Sequence, residues 1–201
     1  SLWYPMYFLD FETFDNPIPL FDKSRPYEKI PSQYSLHYLE CEGAELKHNE
    51  YLALPNADPR EELLKSLLSE IPVNACVIVY NQSFEKGVLK NLGETFPEYK
   101  EWVEAIIENI RDLMIPFRKK DLYHWQMYGS HSIKAVLPAL IPELSYEGME
   151  IADGGMAMDA YSRMCRSKDP DEIEKIRASL LEYCRLDTLA MVRILERLYK
   201  L

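Results

Sequence analysis

The chain reads as an α/β protein built on one mixed sheet, an antiparallel meander joined to parallel strands by helical crossovers and flanked by helices. Three observations predict this. Strand-like segments crowd the region between Met6 and Tyr80, and helical spacing dominates from Ser83 onward. Two strand candidates, Met6-Tyr7-Phe8-Leu9 and Ala75-Cys76-Val77-Ile78-Val79-Tyr80, are apolar on both faces, as central strands covered from two sides are. With 201 residues, 47% of them hydrophobic, a single domain over 1–201 is expected.

In chain order, the first buried strand is followed by a proline-bearing stretch from Asp15 to Pro31, with Pro17, Pro19 and Pro26 between. That is longer than most connections. It is either pinned over a sheet edge by Phe21 and Tyr27 or a flap beside a site. Strands are predicted over 33–40, with Tyr34, Leu36 and Tyr38 on one side, and over 46–54. Pro59 suits the first turn of a helix carrying Leu63, Leu64, Leu67, Leu68 and Ile71. Further helical spacing covers 84–92, 97–110, 132–140, 155–164 and 170–199, and Ser167-Lys168-Asp169-Pro170 separates the last two.

Composition excludes several function classes. A net charge of −10 argues against a broad polyanion-binding surface, yet leaves room for acidic residues that hold divalent cations. Seven glycines supply no phosphate loop, dinucleotide fingerprint or nucleophile elbow. No apolar run approaches the ~18 residues of a membrane span, and no signal-peptide pattern precedes Leu2-Trp3-Tyr4-Pro5, so no membrane partner is expected. Cys41, Cys76, Cys165 and Cys184 are too scattered for a zinc site and read as reduced thiols of a cytoplasmic protein. His37, His48, His124 and His131 show no metal-ligand spacing.

The chemistry lies in carboxylates that interrupt apolar patterns. Asp10 and Glu12 end the first strand on the face of Met6 and Phe8, at the carboxyl end of a central strand, where open sheets place ligands. At about 100° per residue, Ile173, Ile176, Leu180, Met191, Ile194 and Leu198 form one stripe of the last helix. Asp187 falls inside that stripe with Tyr183 one turn before it, while Lys175, Glu182, Arg193, Glu196 and Lys200 take the opposite face. A carboxylate facing a core is costly unless paired or bound to metal. The third element, Asn81-Gln82-Ser83-Phe84-Glu85, follows the second buried strand, where Ser83 is suited to cap a helix with Glu85 in its first turn.

Asp-x-Glu, Asn-x-x-Phe-acid and Tyr-x-x-x-Asp, in this order, resemble the DEDD superfamily of 3′–5′ exonucleases, a ribonuclease H-like group. Tyr183 before Asp187 corresponds to its tyrosine subclass (DEDDy), and the chain is most similar to a bacterial family of predicted nucleases in which Glu follows Phe. The resemblance runs from about Met6 to Leu198. Glu85 departs from the Asp usual in the superfamily, adding one methylene. The resemblance implies a ribonuclease H-like sheet and hydrolysis of phosphodiester bonds by two Mg²⁺ or Mn²⁺ ions about 3.5–4 Å apart. Asp10, Glu12 and Asp187 would hold one ion, with Asp10 bridging to a second that Glu85 reaches. Tyr183 would orient the attacking water, because a phenol with pKa near 10 is a poor base at neutral pH.

The implied partner is nucleic acid with a free, single-stranded 3′ end. By the same resemblance Asn81 would bind substrate, and Phe14 is either a base-stacking residue or part of the core. Lys86 and Lys90, Arg118-Lys119-Lys120, and Arg163, Arg166 and Lys168 are local basic groups that either track a phosphate backbone or, each cluster taken singly, form a solvated helix face. Tyr123-His124-Trp125-Gln126-Met127-Tyr128 reads as packing or substrate wall, and Asp153-Gly154-Gly155-Met156-Ala157 as a helix start permitting close approach. A start almost on the first strand points to a piece excised from a longer parent chain. The alternative function is a catalytically degenerate nuclease-fold module that binds nucleic acid or a partner protein. A hydrolase of short oligonucleotides would share the same chemistry.

Overall fold

A computed structural model describes residues 1–55 and 57–200. Its sheet contains Met6–Phe14 (β1), Ile30–Leu39 (β2), Lys47–Leu52 (β3), Cys76–Val79 (β4) and Ile110–Asp112 (β5). The spatial order is β3-β2-β1-β4-β5. Strand β2 runs antiparallel to β1 and β3, whereas β4 runs parallel to β1 and β5. The predicted mixed sheet is therefore the one observed, consistent with a ribonuclease H-like arrangement. Among the described residues seven helices flank it: Arg60–Glu70 (α1), Gln82–Thr95 (α2), Lys100–Asn109 (α3), Ile115–Arg118 (α4), Ile133–Leu140 (α5), Gly154–Arg166 (α6) and Pro170–Leu198 (α7).

Alternation along β1 divides the interior in two. Tyr7, Leu9 and Phe11 enter a core closed by Leu64 and Leu67 of α1, Leu89 of α2 and Ile106 of α3. Met6 and Phe8 enter the opposite core, roofed by Val136 of α5, Tyr161 of α6, and Leu180 and Met191 of α7. Two roofs explain why β1 and β4 are apolar on both faces.

Strand β2 behaves differently. Tyr34 and Leu36 join the α1–α3 core, but Gln33, Ser35 and His37 are buried on the α7 side. Buried polar groups require partners, and α7 supplies one to each of these three side chains. Gln33 Nε2 donates to the Leu180 carbonyl at 2.9 Å. The Thr188 hydroxyl bonds with Ser35 Oγ and with His37 Nδ1, each at 2.8 Å. These directional bonds fix the rotation of α7 above the sheet. Burial first, then the neighbouring His48 and two arginines, pushes His37 down to about 3.

Three local readings need correction. The helix predicted over 97–110 is a single 3₁₀ turn, Pro97–Tyr99, followed by α3, after which the chain enters β5. A three-residue strand directly after a helix offers no period to read. Asn81, in the left-handed region at φ 84°, occupies the N-cap position of α2, and Ser83 lies exposed in the first turn. In the proline-bearing loop, Phe21 packs edge-on to Phe14 at 6.4 Å and lies 5.8 Å from the Arg60 guanidinium, whereas Tyr27 is exposed.

Candidate metal centre

Strand alternation puts Asp10 and Glu12 on the face of β1 that looks toward α7. Hydrogen bonding between β2 and α7 sets the rotation that turns Asp187 toward them. One carboxylate oxygen from each of Asp10, Glu12 and Asp187 lies within 4.8 Å of the other two. The three line a cleft of about 280 Å³ at the carboxyl ends of β1 and β4. Asn81, Phe84 and Glu85 form the side toward α2, and Ile133 and Lys134 the side toward α5. Tyr183 lines it from α7, one turn before Asp187.

Glu85 shares this cleft without joining the closest group of three. It is buried in the first turn of α2, and its Oε2 has no hydrogen-bond partner among the described residues. Asp112, at the end of β5, faces the same region. Its Oδ1 accepts from the backbone N–H groups of Asn81 at 3.0 Å and Met114 at 2.9 Å, which holds the left-handed turn at Asn81.

Burial dominates the electrostatics. It raises Asp10 well above the usual carboxylate range, helped by the charges of Asp187, Glu12 and Glu85. Glu12 rises to about 8 through burial and then Asp187, against the pull of Lys134. Glu85 also reaches about 8, through burial chiefly and then Asp112 and Glu12. Asp187 reaches only about 6, because a hydrogen bond from Tyr146 and the Lys134 ammonium offset its burial. Among the described residues Lys134 is the one cationic side chain lining the cleft. Its Nζ stands 5.2 Å from the Tyr183 ring centroid and 5.6 Å from that of Tyr146. Burial and the neighbouring carboxylates push the Tyr183 phenol far above its ordinary value, so it stays protonated.

Of the other sequence candidates, Asn81 lines the cleft but Phe14 does not. The Phe14 ring is buried 5.0 Å from the Tyr161 ring, and Phe84 supplies the aromatic wall instead. Gly154 begins α6 at the cleft, where a Cβ would lie 3.7 Å from Glu12 Oε2. The segment 123–128 is mainly exposed, with Met127 alone fully buried.

Sequence reasoning missed Lys134, Tyr146 and Asp112. A lysine in the first turn of an amphipathic helix reads as solvated, and Tyr146 lies in an irregular segment without period. Asp112 carried a readable signal, since an acid two residues before a Met-Ile-Pro helix start is a common turn former.

The chain matches the family model described as a domain of unknown function (DUF2779) over residues 7–132, which contain Asp10, Glu12 and Glu85. It is 29% identical over 206 residues to an uncharacterised protein of Mycoplasma pneumoniae, covering 93% of this chain and 31% of that protein. An uncharacterised protein of Mycoplasma genitalium gives the same identity and coverage. One from Ureaplasma parvum is 27% identical over 211 residues, covering 93% of this chain and 30% of the relative. The chain thus spans less than a third of the length of the curated relatives it matches. No solved structure matches it. With well over half its length inside the matched region, the chain belongs to the DUF2779 domain family.

Proposed function

We propose that this chain is a DEDD-type, tyrosine-subclass 3′–5′ exonuclease that hydrolyses phosphodiester bonds with Mg²⁺ or Mn²⁺. The observation that carries this reading is the meeting of Asp10, Glu12 and Asp187, from opposite ends of the chain, within 4.8 Å. Closely spaced oxygen donors with raised proton affinity suit hard divalent cations, which favour their ionised forms. Glu85, with an unsatisfied buried oxygen in the same cleft, further supports the fit. Asp10, Glu12 and Asp187 would hold one ion, and Glu85 would contribute to a second.

Such ions supply Lewis-acid stabilisation of the phosphoryl oxygens and promote ionisation of a nucleophilic water. The protein's own groups do the rest. Tyr183, held protonated, orients the attacking water by hydrogen bonding. Lys134 offers N–H donors to a non-bridging phosphate oxygen in a site otherwise hostile to anions. Tyr146 holds the Asp187 carboxylate in place. Phe84 and Ile133 give the cleft an apolar side for the terminal nucleoside. The expected partners are nucleic acid with a free single-stranded 3′ end and the rest of a longer parent chain. A reducing, cytoplasmic setting suits four cysteines that are all free thiols.

The test is digestion of a 5′-labelled single-stranded oligonucleotide with Mg²⁺ or Mn²⁺. Products shortened from the 3′ end are expected, and Asp10→Ala or Asp187→Ala should abolish them. Full activity in either variant overturns the reading. One observation favours a degenerate binding module instead: Glu85 stands outside the group of three. Under that reading oligonucleotide binding survives carboxylate substitution and no metal produces turnover.

A further inference from the structure

The excursion between α4 and α5 reverses the usual placement of side chains. Tyr123, Trp125 and Tyr128 are 53%, 65% and 84% exposed, although rings of this size normally bury most of their surface. The backbone beneath them is firmly held. Met127 is buried in the core, Leu122 packs against it, and the Ser130 N–H bonds to the Met127 carbonyl at 2.8 Å. The Trp125 and Tyr128 rings stand edge-to-face, 6.5 Å apart. Tyr80, which lines the acidic cleft, donates its hydroxyl to the His131 carbonyl at 2.8 Å. The same segment then enters α5 and delivers Ile133 and Lys134 to the cleft.

Charge says what these rings would meet. Arg118, Lys119 and Lys120, just before them, are exposed, and none forms an ion pair among the described residues. Elsewhere among the described residues some exposed basic groups are matched, as Lys90 is at 3.9 Å from Glu94 and Arg163 at 3.6 Å from Glu172, and others such as Lys168 and Lys200 are not. Residues 118–120 differ in being three consecutive exposed cations directly before exposed rings. Unmatched cations beside exposed aromatic rings fit a polymer that alternates negative charge with flat apolar faces.

We infer that residues 118–128 form a stacking platform for the unpaired bases of a single-stranded nucleic acid, with Arg118, Lys119 and Lys120 contacting its phosphates. This rests on the nuclease reading of the adjoining cleft. From Tyr128 to Lys134 the chain spans at most about 20 Å, so a strand of a few nucleotides joins platform to cleft. Stacking on aromatic side chains tolerates any base, because every base has a π-face. Such a platform favours single strands over duplex without reading sequence.

The test is anisotropy of a fluorescein-labelled twelve-nucleotide oligothymidine in EDTA, where nothing is hydrolysed. Trp125→Ala should weaken binding by about 10-fold, and Trp125→Ala with Tyr128→Ala by more. Tyr199→Ala, a distant exposed ring, should leave it unchanged. Replacing Arg118, Lys119 and Lys120 by alanine should flatten the salt dependence. The platform is overturned if the wild-type chain does not bind, if the ring variants bind equally well, or if a blunt duplex binds as tightly. It is also overturned if the ring substitutions abolish only self-association, which would assign the surface to a second copy. Hydrolysis of a thymidine dinucleotide, which offers no run of unpaired bases for the platform to stack, separates the two ideas. Ring variants should cleave it normally, and failure of the wild-type chain to cleave anything removes the nuclease reading while the EDTA result still decides the platform.

Discussion

The Tyr146 hydroxyl donates a 2.5 Å hydrogen bond to Oδ1 of Asp187. An irregular segment between α5 and α6 thereby holds a carboxylate of α7 that faces Asp10 and Glu12 across the cleft. Tyr146→Phe removes only this donor and leaves a buried carboxylate oxygen unmatched. The expected loss of stability is about 1–3 kcal/mol, measured by denaturant unfolding in EDTA. Affinity for Mn²⁺, read by calorimetric titration, should fall about 10-fold as Asp187 loses its support.

Raised carboxyl pKa values give a definite pH dependence without metal. Glu12 and Glu85 are pushed up to about 8 in the native chain, against 4.5 for a free glutamate. The native state therefore retains protons that the unfolded chain has released. The stabilisation is complete below about 4.5 and is lost as pH rises through about 8. Thermal melts in EDTA should show the wild-type chain weakening from pH 6 to pH 9. Glu12→Gln, which cannot ionise, should weaken less. An equal slope in both would show that Glu12 does not titrate in this window.

Divalent cations should reverse that loss. Mn²⁺ at 100 times its dissociation constant should add about 2.7 kcal/mol. At one fixed Mn²⁺ concentration the gain should be larger at pH 8 than at pH 6, because fewer protons must leave and binding is tighter, and it should be absent in Asp187→Ala. Melting curves with and without Mn²⁺ check both points.

Lys134 offsets carboxylate charge and also repels incoming cations. Lys134→Met should raise Mn²⁺ affinity at pH 8.5, above the pKa values of Glu12 and Asp187, and lower turnover by about 10-fold or more. Opposite movement of metal affinity and turnover separates this role from that of a ligand, whose removal lowers both.

His37 and His48 provide an independent acid limb. Their pKa values are pushed down by burial to about 3 and about 4, from 6.5. Here the unfolded chain takes up protons that the native chain refuses. The stabilisation is therefore full above 6.5 and is lost as pH falls toward 4 and 3. Proton NMR should show the His37 ring unprotonated at pH 5, and His37→Gln should flatten its share of the acid loss.

Periodicity made the outer carboxylates legible. Alternation along β1 puts Asp10 and Glu12 on one face, and helical spacing puts Tyr183 and Asp187 inside a buried stripe. The buried, apolar character of β1 and β4 likewise announced a sheet covered on both sides. What periodicity cannot show is a contact made by an irregular segment. Tyr146 and the aromatic excursion at 123–128 belong to that class, and β5 is too short to have a period. The polar face of β2 was visible as Gln33, Ser35 and His37. Its purpose appears only when Thr188 is seen to meet it.

The acidic group is completed by the first strand and the last helix, 177 residues apart in sequence. Chains leave the ribosome amino end first and begin folding as they emerge. Asp10 and Glu12 are therefore in place long before Asp187 is synthesised. A product truncated ahead of α7 contains all five strands yet lacks the third carboxylate of the group. Under the proposed function, premature termination leaves such a fragment unable to cut nucleic acid, and the enzyme's cutting power arises only as synthesis of this region finishes.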